Sequence, residues 1–149
     1  MPGPSTARWT HIALPSSDLE RSIAWYQEFT PLVLLARHED AVGQNAWLSH
    51  DHQAVNPFIL VLVMFYRDQG KPQPIMAPFA HIGIEVPSRA DVDAMADRAR
   101  AAACLSWEPR DMPPPVGYIC AINDPDGNVI EISHDQGVYA KVQEVWGEG

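Results

Sequence analysis

Two histidines and one glutamate in this chain have types and spacing that suggest shared chemistry. His11 stands in "WTHIALP" and His81 in "FAHIGIEVP". Each follows an aromatic residue by two positions and precedes an isoleucine and a short apolar stretch. Glu131 stands in "NDPDGNVIEISHD", 50 residues after His81, with an isoleucine on either side. Strand neighbours point to opposite faces, so Glu131 points away from the side taken by Ile130 and Ile132. One acid on a strand is accounted for by a wet sheet face, and one histidine by a structural hydrogen bond. Two histidines at matching places, with a carboxylate at a fixed distance, ask for more. Two imidazoles and a carboxylate on one side of an ion leave coordination positions open. That set suits non-haem Fe(II), and also Mn, Ni, Co or Zn. A buried lone carboxylate is costly, and a bound cation removes that cost. His11, His81 and Glu131 are therefore read as ligands of one divalent metal ion.

The elements that must position these residues occur twice. "WTHIALPSSDLERSIAWYQEF" and "FAHIGIEVPSRADVDAMADRARAAA" each give a strand, a Pro-Ser turn and a helix. Ser17 with Glu20, and Ser88 with Asp91, have the spacing of a capping box. Leu19, Ile23, Tyr26 and Phe29 recur at helical spacing, as do Val92, Met95, Ala96, Ala99 and Ala103. Strands follow near residues 32–36, 46–49 and 58–66 in the first copy, and near 105–108, 117–123 and 128–133 in the second. Each copy thus reads β-α-β-β-β. Residues 70–78, with three prolines and no apolar run, read as a linker. The proline-rich stretch 111–115 reads as a stiff rim loop. Tyr139, Val142, Val145 and Trp146 give a short packing helix in the tail. The expectation is one domain over residues 1–149, with modules 8–69 and 79–135 and a tail 136–149.

In the second copy Asp124-Pro125-Asp126-Gly127 is turn chemistry placed before the strand that carries Glu131. On the matched first strands, Trp9, His11 and Ala13 share one face, and His81, Gly83 and Glu85 another. The strand at 58–66, where Glu131 would have its counterpart at Val61, holds no acid. Trp9, Glu85 and Cys120 are candidates for contact with substrate, and Tyr118 for a part in catalysis beside Glu131. His50 and His52, in "SHDH", read as loop residues.

The composition narrows the possibilities. Hydrophobic residues make up 46% of the 149-residue chain, enough for a core. The formal net charge of −9 with no basic stripe argues against nucleic acid or an anionic membrane surface as partner. No apolar run is long enough to cross a bilayer. Two cysteines, Cys104 and Cys120, suit a reduced compartment, and the leading residues lack the apolar core of a secretion signal. The expectation is a cytoplasmic protein that takes a small-molecule substrate. Sheet edges need cover, which points to a homodimer.

The stretches "HIALPSSDLERSIAWY", "HIGIEV" and "DPDGNVIEI" resemble the vicinal oxygen chelate superfamily, over about residues 8–135. Glyoxalase I, bleomycin-resistance proteins, fosfomycin-resistance transferases, methylmalonyl-CoA epimerase and extradiol dioxygenases belong to it. The resemblance implies an α+β fold in which two βαβββ modules form a cupped, incomplete mixed-sheet barrel around a metal. The matching ligand positions are His11, His81 and Glu131. It also implies binding of the substrate through two neighbouring oxygens. Glyoxalase I-like members carry a fourth ligand, a carboxylate on the last strand of the first module, which this chain lacks. The two-His, one-Glu set is that of the extradiol dioxygenases, but Ala121 stands where they carry a tyrosine. Fosfomycin-resistance transferases have a threonine where this chain has Ala13. The expected function is dioxygenase-like metal chemistry. The alternatives are a glyoxalase-like lyase or isomerase, or a drug-binding resistance protein without turnover.

Overall fold

In a computed structural model, residues 3–147 are described. Residues 1–2 and 148–149, the outer ends of the leading segment and the tail, lie outside the described residues. The chain divides into two compact units, with the boundary between Ile75 and Met76 inside the proline-rich stretch. Each unit is a βαβββ module, and the class is α+β.

The first module runs β1 (Ile12–Pro15), α1 (Leu19–Phe29), β2 (Val33–Glu39), β3 (Gly43–Ser49) and β4 (Leu60–Phe65). The second runs β5 (His81–Glu85), α2 (Arg89–Ala101), β6 (Leu105–Met112), β7 (Gly117–Asn123) and β8 (Val129–His134). A tail helix, α3 (Val138–Trp146), follows. Each sheet has four strands, in the orders β1-β4-β3-β2 and β5-β8-β7-β6. The first strand of each module lies parallel to the last, and the other pairs are antiparallel. The helix and two strands between first and last strands form the crossover connection that a parallel neighbour needs.

Helix α1 buries the stripe its spacing predicts, and α2 buries most of it, with Met95 half-buried. Leu19, Ile23, Tyr26 and Phe29 of α1 are buried, with Leu14, Ala46, Leu48, Leu60, Leu62 and Met64 among the core residues of the same module. Val92, Ala96 and Ala99 of α2 are buried, with Cys120, Ile122, Ile130 and Ile132 in the same module's core. Ser88 caps α2 as expected: its hydroxyl accepts from the Asp91 amide at 3.1 Å and donates to the Asp91 carboxylate at 2.7 Å. At α1 the cap is Asp18, not Ser17, because the Asp18 carboxylate accepts from the Arg21 amide at 3.1 Å. Asp is as good a cap as Ser, so the spacing placed the helix one residue early.

Three further expectations are corrected. Ala103 is past the end of α2, at φ 57°, so it turns the chain rather than extending the apolar stripe. Asp111 and Met112 belong to β6 rather than to a rim loop. The tail does form a helix, but it buries none of its residues: Val145 and Trp146 are 60% and 80% exposed. Helical spacing set the element but not its cover. Among the described residues no helix is long and apolar enough to cross a membrane.

Candidate functional site

The turn before β8 fixes where Glu131 stands. Asp124 is buried, and one carboxylate oxygen accepts from the amides of Asp126 and Asn128 at 3.0 and 2.8 Å. The other oxygen accepts from the Asn128 side-chain amide at 3.0 Å. Gly127 adopts φ 103°, a conformation that disfavours any residue with a Cβ. The fully buried Asn128 passes the constraint on, since its side-chain oxygen accepts from the Met76 amide at 2.9 Å. The "DPDGN" stretch is thus a hydrogen-bonded clamp that starts β8 in one register.

From that start the alternation predicted from sequence holds. Ile130 and Ile132 are buried core residues, and Glu131 takes the opposite face. Its row of neighbours reads Gly83 on β5, Glu131 on β8, Ala121 on β7 and Trp107 on β6. Gly83 and Ala121 leave space beside the carboxylate, and a Cβ built on Gly83 would meet nothing within 4 Å.

Glu131 is 7% exposed, and both its oxygens are engaged. Oε2 lies 3.2 Å from Nε2 of His81. Oε1 accepts a hydrogen bond of 2.9 Å from the Gln136 side-chain amide. His81 is oriented from its other nitrogen: Nδ1 is 2.8 Å from the Phe79 carbonyl oxygen, which can only accept, so Nδ1 carries a proton. That leaves two states for Nε2. It is the second N–H of an imidazolium paired with Glu131, or it is a lone pair facing a carboxylate. The second arrangement is repulsive unless a proton or a metal cation stands between them. A backbone carbonyl on Nδ1 and a free Nε2 is also how metal-bound histidines are commonly held. Phe79 and Trp107 flank the imidazole edge-on, with ring centroids 5.2 and 5.9 Å away.

The other residues singled out in the sequence are placed as follows. His11 is exposed, one residue before β1 begins, with Nδ1 2.8 Å from the Thr10 hydroxyl. Trp9 is 99% exposed. Glu85 ends β5 on the face of His81 and Gly83 and is exposed. Tyr118 and Cys120 do not share the face of Glu131. Alternation along β7 puts Ile119 and Ala121 on the Glu131 face and turns Tyr118 and Cys120 toward α2. The Tyr118 hydroxyl donates to Asp93 of α2, which raises its pKa above the usual phenol range. The Arg89 guanidinium stacks on its ring at 3.8 Å. The Cys120 thiol points to the Val92 carbonyl, and burial pushes its pKa up to about 11. Both cysteines are free.

Among the described residues no group of three or more His, Cys, Asp or Glu side chains is gathered closely enough to hold an ion. His81 and Glu131 are brought together as a pair. Gln136 was not singled out in the sequence, where it lies in the tail, and no motif marks it. Only the reversal of the chain after β8 brings it back to a residue five positions earlier.

The description "Glyoxalase/Bleomycin resistance protein/Dioxygenase superfamily" belongs to the family model that matches residues 8–132. An uncharacterised Pseudomonas aeruginosa protein, PA2024, is 39% identical over 128 residues, covering 85% of this chain and 88% of that protein. Among solved structures, trypanothione-dependent glyoxalase I of Leishmania major is 20% identical with a TM-score of 0.68, covering 93% of this chain and 94% of that one. A mutant of the fosfomycin resistance protein FosX from Listeria monocytogenes, complexed with Mn(II) and a dihydroxypropylphosphonic acid, is 17% identical. Its TM-score is 0.65, over 92% of this chain and 98% of that one.

Proposed function

Since this chain belongs to the glyoxalase/bleomycin resistance protein/dioxygenase superfamily, we propose that it is a metal-dependent enzyme acting on a small molecule with two neighbouring oxygens. Its ligands in this reading are His81, Glu131 and His11, for one divalent ion of the Fe, Mn, Ni, Co or Zn group. The observation that carries the reading is the meeting of Nε2 of His81 with Oε2 of Glu131 at 3.2 Å, with Nδ1 already committed to a carbonyl. The donor set fits such an ion: one neutral imidazole nitrogen and one carboxylate oxygen, buried and oriented from behind. When bound, the ion supplies Lewis acidity toward the substrate oxygens. The protein's part is to hold the donors, to exclude water around Glu131, and to leave room over Gly83 and Ala121. The Mn(II) of the similarly folded FosX supports the reading.

Within this class the chemistry is dioxygenase-like. Register supports that choice, because Val61 takes the place in the first module that Glu131 takes in the second. A fourth carboxylate of the glyoxalase I kind is therefore missing from β4. The working form is a homodimer in the cytoplasm.

Metal titration of the chelator-treated protein tests the reading, with Mn(II), Fe(II), Co(II), Ni(II) and Zn(II) each followed by calorimetry. The expected result is about one ion per chain. Removing a neighbour of a ligand costs about 10–100-fold in affinity, so Glu131→Gln and His81→Ala should each exceed that range. A parent protein that takes up none of the five ions sinks the proposal, and so does a Glu131→Gln variant that binds as tightly as the parent.

A further inference from the structure

Glu131 is the one acid on its face of β8, and the side chain that holds it comes from outside the strand. Gln136 donates to Oε1 of Glu131 at 2.9 Å and to the Val116 carbonyl at 3.3 Å, both from the same Nε2. The two protons of that amide nitrogen are thus used on two acceptors. Turning the amide over would set its oxygen against a carboxylate and a carbonyl, so its orientation is fixed by chemistry.

The backbone around Gln136 is held as firmly. Asp135 sits at φ 59°, in the left-handed region, and turns the chain back on itself after β8. The next amide, that of Gly137, donates to the Pro115 carbonyl at 2.9 Å. Gly117 adopts φ 86°, and a Cβ there would lie 2.4 Å from the His134 carbonyl oxygen. The turn after β8 and the β6–β7 hairpin are therefore packed backbone to backbone. Gln136 is carried in on that contact.

We infer that Gln136 is a positioning residue, which holds one oxygen of the Glu131 carboxylate and so fixes the plane in which the other oxygen faces His81. The inference rests on the reading of Glu131 as a metal ligand. The amide occupies Oε1 with a neutral donor. It fixes the rotation of the carboxylate and leaves its negative charge in place. Without that donor the group can rotate about its terminal torsion, which is broad and roughly two-fold. Ordering it again then falls to the ion.

The test compares the parent with Gln136→Ala, Gln136→Glu and Glu131→Gln, and adds the double variant Gln136→Ala/Glu131→Gln. Affinity for Mn(II) or Co(II) is measured by competition with a chelator, and folding by circular dichroism and thermal melting. Gln136→Ala should bind roughly 10-fold more weakly, within the range for residues behind a metal ligand. Gln136→Glu should lose more, because it places a second acceptor against Oε1. In the Glu131→Gln background the Gln136→Ala change should add nothing. A second readout needs no metal: the carboxyl carbon resonance of Glu131 in ¹³C-glutamate-labelled, metal-free protein should shift in Gln136→Ala. If the parent and Glu131→Gln differ as expected but folded Gln136→Ala binds like the parent, the positioning role is overturned and the ligand reading stands. Additive losses in the double variant overturn it as well. A parent that binds no ion overturns both, and the parent titration alone identifies that case.

Discussion

The two modules put the same backbone to different uses, and one row of residues shows it best. In the first module Ala13, Val61 and Trp47 are aligned across β1, β4 and β3. In the second, Gly83, Glu131 and Ala121 occupy the same row across β5, β8 and β7. The parallel pairings match residue for residue: Ile12 faces Leu60 as Ile82 faces Ile130. In the first row an indole stands directly beside Val61, whereas the second surrounds a carboxylate with the two smallest side chains and holds the Trp107 indole one strand further out. The covered faces are alike, with Leu60 and Leu62 in one module and Ile130 and Ile132 in the other, all essentially unexposed. A repeat can therefore keep its core on one face while the other face of each copy diverges, since alternation along a strand separates the two.

The connections into the last strands differ as well. Residues 124–128 form the clamp built on Asp124 and Asn128. The corresponding stretch 50–59 is longer, holds a short 3-10 turn over Asp51–Gln53, and leaves Val55 91% exposed. Tighter control is found in the module that carries the acid.

The largest effect expected is on the shared core. Ile130→Ala and Leu60→Ala should each destabilise by about 2–5 kcal/mol, the usual cost of a large-to-small change at a fully buried site. Denaturant unfolding measures both. If only one of the two is costly, the cores are less alike than their burial indicates.

The next effect belongs to the clamp. Asp124→Ala leaves the Asn128 amide groups without their acceptor in a buried place, at about 1–3 kcal/mol. Asp51→Ala in the first module removes an exposed carboxylate and should cost less than about 0.5 kcal/mol. Equal losses would mean that the turns are equally important, and would break the contrast.

A smaller effect on stability than the core or the clamp, and the most informative about chemistry, is expected from Val61→Glu. It writes the residue of the second module into the matching register of the first. The side chain is on the half-buried face, so the fold should lose only about 1 kcal/mol. In the proposed metal-ligand reading a dioxygenase needs vacant positions at its ion, so if the added acid supplies the missing fourth carboxylate, oxygen uptake with a catechol substrate should fall. A rise in isomerisation of a hemithioacetal would instead favour glyoxalase-like chemistry, since a base has been added.

Much of this was legible from residue order alone. Helical and strand periodicity is a local property, and so is the Pro-Asp-Gly turn; both modules and the opposed faces of Ile130 and Glu131 follow from them. The helix cap moved by one residue because Ser17 and Asp18 are chemically close to equivalent there. Residue type offered Tyr118 for catalysis and Cys120 for substrate contact. The β7–β8 register puts Ala121 beside Glu131 instead and turns those two toward α2. The helical spacing of the tail was plain, but spacing cannot say whether an apolar stripe is covered, and α3 is not. Register, facing and cover depend on which strands pair and where the chain reverses. Gln136 shows the limit most clearly: it is an ordinary polar residue in the tail until the left-handed turn at Asp135 brings its amide back to Glu131. The sequence by itself determined the modules, their cores and the acid on β8; only tertiary structure decided which side chains meet that acid, because contacts made by strand pairing and by a chain reversal leave no periodic trace in the order of the chain.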